Sequence, residues 1–93
     1  MANNLHISYD LMNPGQNYDA VIDAIKGLGN WAKIHKSFWY VNSKYSAAEA
    51  RNIVWGVMDS NDKLYVVDAT NNEAAWKNLP DKVSDHIKDK WNK

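Results

Sequence analysis

The sequence predicts an α+β fold: one four-stranded antiparallel sheet built in the order β-α-β-β-α-β, with a helical tail. Three observations carry this. Alternating and helical apolar spacings succeed one another in that order along the 93 residues. A capping box marks where the second helix starts. The connections are short, which limits how the strands can be wound.

The first strand is "LHISYDL", Leu5 to Leu11, with Leu5, Ile7 and Tyr9 on one side and His6, Ser8 and Asp10 on the other. "NPG" then reads as a turn, because Pro14 fixes φ and Gly15 is free to adopt a positive one. Asn17 is a fitting N-cap for a helix in which Tyr18, Val21, Ile22, Ile25 and Leu28 recur at helical spacing. Gly29 suits its C-terminal stop. "WAKIHKSFWYVNS" is too long for one typical strand and divides into two at a turn near Lys36 and Ser37. A single bent strand is the alternative. Ser46 and Glu49 then form the capping box of a helix with Ala50, Ile53, Val54 and Val57 on one face. "KLYVVDA", Lys63 to Ala69, is the last strand, rich in β-branched and aromatic residues. In the tail, Trp76 and Leu79 precede Pro80, and Asp81 can cap a final helix carrying Val83, Ile87 and Trp91 as a narrow apolar stripe.

Strand handedness and short loops turn this order into a ferredoxin-like sheet: the last strand at one edge, then the first, the third and the second. Both internal helices cover one face. The other face would then be left with apolar and aromatic surface, which the tail or a second copy of the chain must cover. The expected organisation is one domain over 1–93, with a core at 5–70 and a helical tail at 71–93.

Composition narrows the function classes. Eleven basic residues balance eleven acidic ones, whereas general nucleic-acid binders usually carry a positive excess. Five tryptophans and five tyrosines face a single phenylalanine, so most rings have a polar end suited to half-buried positions and interfaces. No cysteine is present, which removes disulfides and thiolate metal sites. "MANNLHISYDL" has neither a basic nor an apolar leader segment, and no apolar run reaches the roughly 20 residues of a membrane span. A cytoplasmic protein without a membrane partner is expected. His6, His35 and His86 fall on three elements without metal-ligand spacing and read as surface or structural residues.

Asp10 is the residue that asks for an explanation. It ends a central strand, on the face away from the helices, beside the start of the third strand at Ser37 and Phe38. Asp commonly bonds the backbone of a following turn, which is one reading. In the other, a two-fold dimer through the uncovered face brings two Asp10 carboxylates together, and paired carboxylates suit magnesium. Ser37, by spacing alone, is a turn residue.

"ISYDL" followed by a helix, then "KIHKSFWYVNS", "SAAEA" and "KLYVVDA", resembles the small CRISPR-associated ferredoxin-like nucleases. These are the dimeric partners of the spacer integrase, and virulence-associated protein D is among their stand-alone relatives. The similarity spans roughly residues 5–70. It implies a homodimer with Mg2+ between two aspartates matched by Asp10, with Ser37 close by. Arg51 is the single arginine, although nucleic-acid-gripping relatives carry several around the cleft.

Two functions follow as expectations. One is a metal-dependent endonuclease or phosphodiesterase acting on RNA or DNA, with Asp10 and Ser37 as catalytic residues and Asp10 as metal ligand. The other is a non-catalytic dimeric scaffold that binds a protein or a small nucleotide through its tryptophans.

Overall fold

The computed structural model describes residues 2–12 and 18–91. It holds a four-stranded antiparallel sheet and three helices. The strands are β1 (Asn3–Asp10), β2 (Gly29–His35), β3 (Phe38–Ser43) and β4 (Lys63–Asp68); the helices are α1 (Tyr18–Lys26), α2 (Ala47–Trp55) and α3 (Asp81–Lys90). The strand order is β2-β3-β1-β4, the ferredoxin-like arrangement. β2 and β3 form a hairpin turning at Lys36 and Ser37, so the single-bent-strand alternative is excluded. The expected turn at Pro14–Gly15 and N-cap at Asn17 lie outside the described residues.

Register assigns each side chain to a face. Leu5 opposes Val41 on β3 and Asp68 on β4, and Ile7 opposes Trp39 and Val66. These alternate residues, with Tyr9, bury against Val21 and Ile25 of α1 and Ala50 and Val54 of α2 in one core cluster. Burying such side chains contributes on the order of 1.5–3 kcal/mol each. The capping box is present as expected: Glu49 N–H donates to Ser46 Oγ at 3.1 Å, and Ser46 N–H to the Glu49 carboxylate at 2.9 Å.

Three local expectations are corrected. Gly29 is not a helix stop but the first residue of β2, and the turn at Gly27 and Leu28 ends α1 instead. A Cβ at Gly29 would collide with the Asn42 carbonyl on β3, so the glycine is there for close strand approach. Ile53 and Val57 are exposed, because α2 packs through Ala50 and Val54 only, and Val57 lies beyond its last turn. Finally, Pro80 rather than Asp81 occupies the N-cap of α3. Its fixed φ of −55° leads into the helix, and its carbonyl accepts the N–H groups of Val83 and Ser84. Asp81 is instead the first helical residue, where its charge complements the helix dipole.

The tail packs on its own sheet. The stripe of Val83, Ile87 and Trp91 meets Ala32, Ile34 and Tyr40 on the face opposite α1 and α2, with Trp76 and Leu79 completing a second apolar cluster. Polar ties fix it in place. Asn42 Nδ2 donates to the Lys90 carbonyl at 2.8 Å, satisfying one of the helix's last acceptors. Trp91 Nε1 donates to the Asn72 carbonyl and Trp76 Nε1 to Ser84 Oγ. The tail thus covers β2, β3 and the His6 stretch of β1, and leaves β4 and the Ser8–Asp10 end of β1 open.

Candidate active site

The open part is where Asp10 stands. β1 delivers it as its last residue, opposite Lys63 at the start of β4. The carboxylate is exposed, and among the described residues it makes no hydrogen bond or ion pair. It lines a shallow hollow of about 250 Å³ with Ser8, Tyr9, Lys63, Leu64 and Tyr65. Tyr65 opposes Ser8 in the register and is 69% exposed, the most exposed large hydrophobic side chain of the described residues.

Ser37 sits in the β2–β3 turn next along the sheet. Its carbonyl accepts the N–H of Tyr9 at 3.2 Å, while the Tyr9 hydroxyl donates to the Lys36 carbonyl at 3.4 Å. These two bonds bring Lys36 and Ser37 alongside the end of β1. Ser37 does not itself line the hollow; Ser8 does. Phe38, the next residue, opposes Ser8 from the other side.

The loop after Asp10 has a carboxylate of its own. Asp62 is buried, accepts the Met12 N–H at Oδ1 at 2.9 Å, and accepts the Asp59 N–H at Oδ2 at 2.7 Å. Sequence reasoning missed this residue. Its signal was a second aspartate three residues after Asp59 in "DSND", immediately before a strand.

The histidines do not build a second centre with Asp10. His6 and Asp10 share a face but lie four residues apart, roughly 13 Å along a strand, too far for a direct proton relay. His6 is enclosed by Phe38, Tyr40 and Trp91, with ring centroids 5.7, 6.1 and 5.7 Å away. That burial lowers its pKa and favours the neutral imidazole. Burial likewise raises the pKa of the Tyr40 phenol, which donates to Asn4 Oδ1 at 3.1 Å. His35 stacks on Phe38 at 5.3 Å. Among the described residues no group of three His, Cys, Asp or Glu side chains gathers to hold a metal. Asp68 opposes Leu5 at the other end of β1, so it does not pair with Asp10.

A family model described as "Putative ParB-like nuclease" matches residues 6–93. The chain belongs to this family. The match takes in all of the sheet beyond the first residues of β1 and the whole tail, so α3 is part of the ParB-like nuclease unit. No curated protein and no solved structure matches the chain. No helix among the described residues is long and apolar enough to cross a membrane.

In a nuclease-like chain, the hollow offers what phosphodiester chemistry draws on. Asp10 offers hard carboxylate oxygens exposed to solvent, and Lys63 stands opposite it in the register. Magnesium typically keeps several waters and takes only one or two carboxylates, with substrate phosphates completing its shell. A single accessible Asp10 per chain fits that demand.

Proposed function

We propose that this ParB-like nuclease is a homodimeric, metal-dependent endonuclease or phosphodiesterase acting on RNA or DNA. It would work in the manner of the CRISPR-associated nucleases it resembles, with Asp10 as the residue that holds Mg2+. The observation that carries the reading is the state of Asp10: an exposed carboxylate at a central strand end, without a hydrogen bond or ion pair among the described residues, facing a lysine. Structural aspartates generally bond nearby backbone, as Asp62 does here.

The tail keeps two copies from meeting over the whole open face. In copies meeting at the Asp10 ends of their β1 strands, the two Asp10 carboxylates would hold the ion. When bound, the ion supplies polarisation of the phosphoryl oxygen and an activated water. Lys63 attracts the phosphate, and Ser37 and Ser8 offer polar contacts near the end of the strand.

Replacing Asp10 with Asn tests this. Asp10→Asn should abolish Mg2+-dependent cleavage of RNA and DNA oligonucleotides. Calorimetric titration with Mn2+ should give one ion per two wild-type chains and none in the variant. A variant as active as wild type overturns the assignment. The scaffold reading rests on a different surface, where Ile53, Trp55 and Val57 are all exposed along and just beyond α2. It is favoured only if Trp55→Ala abolishes capture of a protein partner while wild type shows no cleavage.

A further inference from the structure

A row of side chains runs across the strands on the sheet face opposite α1 and α2, from Tyr65 on the open β4 edge to Phe38, half-buried beside the tail. Tyr65 on β4 opposes Ser8 on β1, and Ser8 opposes Phe38 on β3. Phe38 in turn opposes His35 on β2, brought onto this face by the register shift between Lys33 and His35. The His35 and Phe38 rings stack at 5.3 Å with 21° between planes, whereas Ser8 leaves a gap between Phe38 and Tyr65. With strands roughly 4.8 Å apart, the two aromatic stations are about 10 Å apart. A tyrosine 69% exposed on a sheet contributes little to stability there, so packing does not account for it. A lysine stands near each end of the row: Lys63 on β4, opposite Asp10, and Lys36 next to His35 in the β2–β3 turn.

Resting on the nuclease reading above, we propose that this row binds a single-stranded polynucleotide. One base stacks on Tyr65, a neighbouring base stacks on Phe38, and the backbone passes Lys63 towards Asp10. The occupant follows from charge and geometry together. Lysines beside an exposed ring, Tyr65, and a half-buried one, Phe38, match phosphates beside bases. Rings presented on an open sheet engage bases that have left a stack, whereas a duplex keeps its base faces paired and covered. The small Ser8 side chain leaves the space between the stations for a sugar.

Binding measured in EDTA separates this from the metal chemistry. The probes are fluorescein-labelled 12-mers of single-stranded RNA, single-stranded DNA and duplex DNA, read by anisotropy, and a 12-mer with internal 2-aminopurine read by stacking quench. Wild type should bind at least one single strand more tightly than duplex. Tyr65→Ala should lose roughly 5- to 100-fold in affinity together with the quench, and Tyr65→Phe should retain both. In EDTA a loss in Tyr65→Ala reports stacking alone, because metal uptake at Asp10 plays no part there. Equal binding by wild type and Tyr65→Ala overturns the stacking row, even if Asp10→Asn has lost cleavage. So does a wild type that binds neither single strand better than duplex. If Tyr65→Ala instead shifts the dimer equilibrium in sedimentation with binding unchanged, a second copy covers this surface and the proposal fails. Intact binding with no cleavage by wild type sinks the nuclease reading and leaves the row standing.

Discussion

At the scale of single residues, two aspartates far apart in the sequence, Asp10 and Asp62, do opposite work. Asp62 is buried and gives each carboxylate oxygen to a backbone N–H, so it locks the loop after β1 to the loop before β4. Removing it strands two donors. Asp62→Ala should cost about 1.5–3 kcal/mol, a fall in melting temperature of roughly 6–24 °C for a domain of this size. Asp62→Asn, which keeps one carbonyl oxygen, should fall between the two in thermal melts monitored by circular dichroism. Asp10 differs only in what surrounds it. Its hydrophobic neighbours and its strand were legible from alternation, but whether its oxygens were occupied was not. Nor was the reach of Asp62, which takes the Met12 N–H from fifty residues further along. Gly29 shows the same limit. Its position after a helix suggested a stop, while its real constraint is the Asn42 carbonyl on another strand.

At the scale of elements, the docking of α3 is the feature that periodicity described best. Val83, Ile87 and Trp91 do form the packed stripe, Ile87 buried and the other two partly so, and the register of β1 and β3 supplies the rings beneath it. What spacing could not choose was the surface the stripe lies on; here it rests on the chain's own sheet, tied by the Asn42–Lys90 bond. The α2 face was overestimated because helical spacing nominated four residues, and the sheet and α1 bury only two. The α3 contact also makes stability depend on pH. An unfolded His6 takes a proton near pH 6.5, while in the fold its pKa is lowered by burial among Phe38, Tyr40 and Trp91. Between those two values the unfolded chain binds more protons, so acid favours unfolding. Melting temperature should be insensitive to His6 above about pH 6.5 and decline as pH falls below it. His6→Phe should flatten that decline; an equally steep one in the variant would assign it to other groups.

At the scale of the whole molecule, the sheet has a helical layer on one face and half a layer on the other. The topology was readable because each connection is short and each strand has its own pattern; the partial second layer was not, since it depends on where a tail lands. The same topology sets the order in which the chain can become whole. β1 is made first but lies between β3 and β4, and its β4 edge pairs with residues more than half the chain away. Closing so long a loop uses entropy before any contact returns it. During synthesis, the β2–β3 hairpin and both helices can form early, while one edge of β1 waits without a partner until Lys63–Asp68 emerges. An unpaired, apolar strand edge is a template for pairing with another chain. The growing polypeptide is therefore most exposed to misassociation in the interval before β4 arrives, and the cell's chaperones would meet it there.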